Sequence, residues 1–315
     1  MPHLLRKAKA FISPAPIGII APASAPRTLE SLEMGLNNLI KAGFSPIQFR
    51  PTYEAEGFLA GTDAVRLSEF NHFLRSDEVD TLIAVRGGYG CLRLLDHIDY
   101  EAARNHPKLL VGYSDITALQ LALFKHAGWV GISGPMVAVE WPDPEGSNCA
   151  QFLHLVSGQD VKGPLDAPEF PLATLSTGST RGTLLGGNLS LIAKMCGSKH
   201  LPDFTGSILF LEEIGESPYR VDGLLAQLKL AGILDQLNGV VLGGFTEAES
   251  SPGRPTWSLE QVFESYFAEL GIPVATGLRY GHFPAKIALP IGVEAELICS
   301  SHSATLNLLE SPVIS

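Results

Sequence analysis

LLVGYSDITALQLALFKHAG, residues 109–128, is the stretch on which the rest of the chain is read. It opens on an apolar run, turns at Gly112-Tyr113-Ser114-Asp115, and continues as an apolar helix from near Ile116 to the glycine at 128. A serine between a strand end and a helix start presents its hydroxyl outward with peptide N–H groups beside it, which is how a nucleophile elbow works. The turn is not G-x-S-x-G, because Ile116 stands where the second glycine would be. The same residues also fit a plain helix cap, since Ser and Asp are preferred N-cap residues. This stretch alone leaves both readings open.

Working outward, residues 17–21, 44–49, 81–85, 109–113 and 130–133 read as short apolar strands. Such continuous runs mark strands buried on both faces of a parallel sheet. Helical periodicity falls between them, over 28–42 and 62–74, and a further helix is expected to begin at 91–95. Alternating strands and helices predict a Rossmann-like, doubly wound parallel sheet. In that architecture the loops at the carboxyl ends of the strands build the site. Ala23-Ser24, Gly87-Gly88, Ser114-Asp115 and Ser133-Gly134 would then share one edge. The RGGYG loop at 86–90 lacks the G-x-G-x-x-G spacing and no Walker lysine follows, so it does not argue for a nucleotide. Adjacent glycines after a strand do let a backbone N–H approach a substrate oxygen closely, or simply make a tight turn.

Residues 142–171 are richer in Pro, Gly, Asp and Ser, with one helix expected over 148–156. A domain junction is placed there: a nucleophile domain over 1–165, a linker over 166–179 and a second domain over 180–315. In the second half, strands are expected at 183–185, 207–211, 240–242 and 274–276, with helices at 189–195, 221–231 and 259–270. Asn188 is read as a helix cap, and three short antiparallel strands close the chain over 288–308. Glu212 follows four apolar residues at an expected strand end, where an acid is either salt-bridged or functional. His282 sits in a Gly-His-Phe-Pro turn. A serine, a glutamate and a histidine, each at a strand-end turn, are the parts of an acyl-transfer triad, which arises on unrelated folds.

Composition narrows the classes. The chain has 315 residues, 45% hydrophobic, and a formal net charge of -11. An acidic chain with scattered Lys and Arg argues against nucleic acid or an anionic membrane as partner. Cys91, Cys149, Cys196 and Cys299 form no CxxC pair, so no zinc or redox motif is expected, and few cysteines fit a reducing compartment. No apolar run reaches transmembrane length and the first residues lack a signal-peptide pattern, so a soluble, cytoplasmic protein is expected.

VGYSDITAL, VRGGYG, LLGGNLSLI, ILFLEEIGESPYRVD and YGHFPAKIALPIG, taken together and in this order, resemble the LD-carboxypeptidase family of serine peptidases over residues 19–309. The resemblance implies cleavage of an L,D-peptide bond in muramoyl tetrapeptides during peptidoglycan recycling, with no metal or cofactor. It implies a Rossmann-like parallel-sheet N-terminal domain and a smaller β-rich α/β C-terminal domain, and a homodimer. The family's nucleophile falls on Ser114, its acid on Glu212 and its base on His282, with Glu213 and Glu216 near enough in sequence to compete for the acid's role. The family's oxyanion hole falls on the backbone N–H groups of Gly88 and Asp115. Arg86 and Arg220 are candidates for the substrate's terminal carboxylate, and each is equally readable as a surface arginine. Many members carry His-Gly-Pro-Met where this chain has Ser133-Gly134-Pro135-Met136, a change expected at the substrate pocket. The alternative within the resemblance is a microcin C immunity-type peptidase acting on peptidyl or aminoacyl nucleotides.

Overall fold

The computed structural model describes residues 5–50, 53–145, 148–165, 170–249 and 255–314. The chain divides into two units, one of residues 1–161, 288–292 and 311–315, the other of residues 162–287 and 293–310.

The first unit is built on the expected alternation. In chain order it carries β1 (Ala15–Ile20), α1 (Leu29–Lys41), β2 (Phe44–Gln48), α2 (Asp63–Arg75), β3 (Thr81–Ala84), α3 (Tyr100–Asn105), β4 (Leu109–Val111), α4 (Thr117–Ala127), β5 (Gly131–Ser133) and α5 (Cys149–Val156). Strands β1 to β5 are parallel and form a sheet in the order β5-β4-β3-β1-β2. Except in the edge strand β2, their residues are mostly buried, which is why they read as unbroken apolar runs rather than alternating ones. Thr28 and Thr62 cap α1 and α2 by accepting the N–H of the third residue on, as expected of N-cap threonines. Helix α4 is buried nearly all round, from Thr117 to Leu123, and ends on Gly128 at φ 70°.

The second unit carries β6 (Gly163–Pro164), β7 (Ala173–Ser176), β8 (Gly178–Asn188), α6 (Leu189–Met195), β9 (Ile208–Ile214), α7 (Pro218–Leu230), β10 (Gly239–Thr246), α8 (Leu259–Phe267) and β11 (Val274–Thr276), then β13 (Val293–Cys299) and β14 (Ala304–Leu308). Between β11 and β13, β12 (Leu289–Ile291) pairs antiparallel with β5 and so extends the first unit's sheet. The second sheet runs β6-β14-β13-β8-β9-β10-β11-β7, parallel through β8 to β11 and antiparallel elsewhere.

Several expectations are corrected. Of the expected linker 166–179, residues 166–169 lie outside the described residues, whereas 173–176 form β7, paired antiparallel with β11. Its four short residues carry no periodic signal; the hydrogen bonds to β11 make it a strand. A second domain continuous over 180–315 does not hold either, because β12 pairs with β5. Strand β8 has eleven residues where three were expected, since its polar, glycine-rich first half is paired by β13 across its whole length. The helix expected at 91–95 is two 3-10 turns, Cys91–Arg93 and Leu95–His97. Helix α3 was not anticipated, because six residues are too short for helical periodicity to register.

Candidate functional site

Strand β4 ends at Val111, and Ser114–Ile116 form a single 3-10 turn before α4. Ser114 has φ 63°, a left-handed conformation that a non-glycine residue takes at a cost of roughly 1–2 kcal/mol. The residues before the turn and before α4, Tyr113 and Ile116, make no side-chain cap. The Asp115 carboxylate accepts the Cys91 N–H at 2.8 Å, tying the elbow to the end of the glycine loop. That carboxylate and burial together push the Cys91 thiol well up, with burial the larger cause.

The glycine loop lies against this serine. A Cβ built on Gly87 would stand 2.9 Å from Ser114 Cβ and 3.2 Å from its Oγ, closer than a side chain tolerates. Gly88, at φ 117°, is exposed while Gly87 is buried. On the other side of the elbow, the Tyr113 hydroxyl donates to Glu140 Oε1 at 2.9 Å, and Glu140 Oε2 accepts the Met136 N–H at 2.9 Å. Glu140 thus holds the turn after β5 to the residue that precedes the serine. Gln120, one turn into α4, donates to the carbonyls of Gly112 and Ile132 at 3.0 and 2.9 Å, bracing the same strand ends from below. Ser133 is buried at this edge. By contrast, a hollow of about 310 Å³ in this unit is lined by Asp80 and Lys108, which precede β3 and β4, and so opens at the other end of the strands.

In the second unit, Glu212 sits inside β9 rather than at its end, because pairing with β10 continues to Ile214. It is fully buried, and its Oε2 meets His282 Nδ1 at 2.7 Å. Its other oxygen accepts from Asn188 Nδ2 at 3.1 Å; Asn188 is the β8 residue directly opposite in register. The neighbouring carboxylate shares that amide but not the imidazole. Glu213 accepts from Asn188 Nδ2 at 3.1 Å, from the Ser190 N–H at 2.7 Å and from the Ile214 N–H at 2.9 Å, so it serves the N-terminus of α6. Glu216 pairs with Arg220 at 3.4 Å on the surface. Of these three acids, Glu212 is the one hydrogen-bonded to the imidazole.

His282 is carried on the segment after β11 and pinned by its neighbours. Strand β10 shifts register between Leu242 and Phe245, at the glycine pair 243–244. A Cβ on Gly243 would meet the Tyr280 carbonyl oxygen at 2.5 Å, and one on Gly244 would meet the Phe283 ring at 2.4 Å. The Gly244 N–H donates to the Tyr280 oxygen at 2.7 Å, and the buried Tyr280 ring packs edge-on against Phe210. The small residues let the loop seat closely, and the histidine between Tyr280 and Phe283 is held half-buried. With a carboxylate at Nδ1, the proton belongs on Nδ1 and the lone pair on Nε2, the tautomer of a general base.

The two candidate arginines differ. Arg86 is partly buried on the glycine loop, with Nη1 donating to the Ala25 carbonyl at 3.4 Å. Burial, then the nearby Arg27 charge, pulls its guanidinium below the usual value. Arg220, on α7, is exposed and already engaged with the Tyr219 hydroxyl and Glu216. Ser114, Asp115, Gly88 and Arg86 fall in the first unit, and Glu212, His282 and Arg220 in the second. Sequence reasoning did not find the side-chain roles of Asn188 toward Glu212, of Asp115 toward Cys91, or of Glu140 toward Tyr113. Each is a hydrogen bond across 24 or more positions, and no local pattern signals it.

Comparison with known proteins places this geometry in a family. The chain is 34% identical over 303 residues to the probable murein peptide carboxypeptidase of Bacillus subtilis strain 168, covering 96% of this chain and 94% of that protein. The crystal structure of muramoyltetrapeptide carboxypeptidase from Oxalobacter formigenes superposes with a TM-score of 0.81 at 31% identity, over 95% of this chain and 100% of that one. The microcin C7 self-immunity protein MccF of Escherichia coli is more distant, at 25% identity over 86% of this chain and 87% of that protein. Residues 17–134 match the LD-carboxypeptidase N-terminal domain and residues 181–297 the LD-carboxypeptidase C-terminal domain. The chain belongs to the LD-carboxypeptidase family of serine peptidases.

Proposed function

We propose that this chain releases the terminal D-alanine from L,D-linked muropeptide tetrapeptides by a Ser-His-Glu acyl-enzyme mechanism. The observation that carries the reading is Ser114 at φ 63° in a turn packed on the glycine loop. Strain of that kind at an otherwise well-packed strand end is what an exposed nucleophile requires.

The steps follow from the residues. His282 Nε2 takes the proton of Ser114 Oγ as the oxygen attacks the scissile carbonyl carbon. Glu212, already on Nδ1 at 2.7 Å, holds the imidazole tautomer and stabilises the imidazolium that forms. The N–H groups of Gly88 and Asp115 receive the developing oxyanion; one such donor is worth about 3–4 kcal/mol of barrier. His282 then returns the proton to the D-alanine nitrogen as the C–N bond breaks. Water, deprotonated by His282, attacks the ester and frees Ser114. Arg86 fits the substrate's terminal carboxylate better than Arg220, because it is partly buried on the loop that carries Gly87 and has no acidic partner among the described residues. A guanidinium clamps a carboxylate through two parallel N–H donors.

The substrate class is supported by the Bacillus subtilis and Oxalobacter formigenes relatives, a probable murein peptide carboxypeptidase at 34% identity and a muramoyltetrapeptide carboxypeptidase at 31%, whereas MccF lies at 25%. Peptidoglycan recycling implies a cytoplasmic enzyme, and the family resemblance a homodimer; light scattering of the purified chain reads the latter. Ser114→Ala is expected to abolish D-alanine release from a muramoyl tetrapeptide with the far-ultraviolet dichroism unchanged. Full retained activity refutes the assignment. Mass spectrometry of products from diaminopimelate- and lysine-containing tetrapeptides, alongside a peptidyl adenylate, sorts the third-position preference and the microcin-type alternative.

A further inference from the structure

We propose that Ser24, in the loop after β1, is a positioning residue that aims the Gly88 N–H at the oxyanion. The inference rests on the reading of Gly88 as an oxyanion donor and adds the group that holds it. Glycine at this position solves one problem and creates another. It permits φ 117° and the close approach, but it leaves the two peptide planes on either side free to rotate. An N–H that wanders is a poor oxyanion donor, because the donor must be in place before charge develops.

Ser24 engages both planes. Its backbone N–H donates to the Gly87 carbonyl at 3.4 Å, and its Oγ accepts the Tyr89 N–H at 3.2 Å. The Gly87 carbonyl and the Gly88 N–H belong to one planar trans peptide, so they point in opposite directions. Binding the carbonyl to Ser24 therefore turns the Gly88 N–H away from Ser24. The second bond fixes the plane that follows Gly88. The contact is tight: a Cβ on Gly88 would fall 2.3 Å from Ser24 Oγ. The hydroxyl's remaining capacity is used as well, since its proton goes to the Phe58 carbonyl at 2.6 Å. A hydroxyl has one donor and a limited acceptor range, so a serine that gives its proton to Phe58 is oriented to receive the Tyr89 N–H. The segment around Phe58 thereby becomes the anchor for the glycine loop, and the exposed Phe58 and Tyr89 rings meet edge-on at 5.2 Å beside it.

The test compares Ser24→Ala, which deletes both hydroxyl bonds but keeps the backbone one, with Ser24→Thr, which keeps the hydroxyl. Steady-state D-alanine release and the rate of Ser114 labelling by a serine-reactive phosphonate are read for each. Ser24→Ala is expected to lower kcat by about ten- to a hundredfold with KM changed less than about threefold, because misplacing an oxyanion donor acts on the transition state and not on substrate binding. Labelling should slow in parallel, and Ser24→Thr should recover most of kcat. Should the alanine variant fail to fold, Ser24→Cys, a weak acceptor of similar size, is read in its place with the same expectation. An alanine or cysteine variant with unchanged kcat, or a fall confined to KM, overturns the proposal. A wild-type enzyme that neither labels at Ser114 nor releases D-alanine would instead overturn the functional reading on which it rests.

Discussion

Replacing Glu212 by glutamine should disable the enzyme through the tautomer of His282, and the surrounding hydrogen bonds say why. The carboxylate is fully buried between two partners, Asn188 Nδ2 on one oxygen at 3.1 Å and His282 Nδ1 on the other at 2.7 Å. Asn188 Nδ2 can only donate, and its own Oδ1 is committed to the Leu191 N–H at 3.1 Å. In Glu212→Gln the amide oxygen must therefore face Asn188, which turns the amide NH2 toward the imidazole. His282 Nδ1 must then accept, its proton moves to Nε2, and the lone pair that would deprotonate Ser114 is lost. A carboxylate-to-amide change of this kind in a serine peptidase triad lowers kcat by about 10⁴, or about 5 kcal/mol of barrier. Glu213→Gln is the control. That side chain holds the Ser190 and Ile214 N–H groups and shares Asn188 Nδ2 with Glu212, but its amide oxygen can keep the Asn188 bond and it does not touch the imidazole, so about 1–3 kcal/mol of stability should be lost while kcat stays within about tenfold of wild type. D-alanine release at neutral pH and urea unfolding, measured on both variants, separate the two effects. If Glu212→Gln keeps kcat within tenfold of wild type, or Glu213→Gln proves the more damaging to kcat, the assignment of the acid is wrong.

Two further outcomes follow from local backbone geometry. Ser114→Gly should be more stable than Ser114→Ala by about 1 kcal/mol, the reverse of the usual order, because only glycine adopts φ 63° without strain; chemical denaturation of the two inactive variants decides this, and a more stable alanine variant would contradict the strained elbow. At the start of α3, Asp99 caps the helix by accepting the Ala102 N–H at 2.9 Å and also meets Arg75, and these contacts, the Ala102 bond first, hold its carboxyl below the usual range. A depressed folded value means its stabilisation is complete above the unfolded value of about 3.9 and disappears as pH falls through the folded one. Asp99→Ala should thus cost about 1 kcal/mol at neutral pH and progressively less in acid; an equal gap in unfolding midpoints at both ends of the range would show that the carboxylate charge is not the source.

How much of this was legible in the chain can be read from particular residues. The apolar runs of β1, β3, β4 and β5 and the Asn188 cap of α6 are local facts: each depends on side chains within a few positions, so the parallel first sheet was readable without coordinates. The motifs around Ser114, Glu212 and His282 were likewise visible, because turns announce themselves through Gly, Ser, Asp and Pro. What the sequence left open was always a choice between near neighbours or between distant partners. The end of the apolar run favours Glu212 over Glu213, but β9 runs through both, and the contact that separates them comes from His282, seventy positions away, reaching one and not the other. Nothing local makes residues 173–176 a strand until β11 offers them an edge, or sends β12 to pair with β5. The same holds for Asp115, whose carboxylate could cap a helix but takes the Cys91 N–H instead. Periodicity, capping and turn chemistry act over a few residues and are written in the sequence. A hydrogen-bond partner far along the chain is selected by the packed fold, because only there does one of several equivalent groups come within reach.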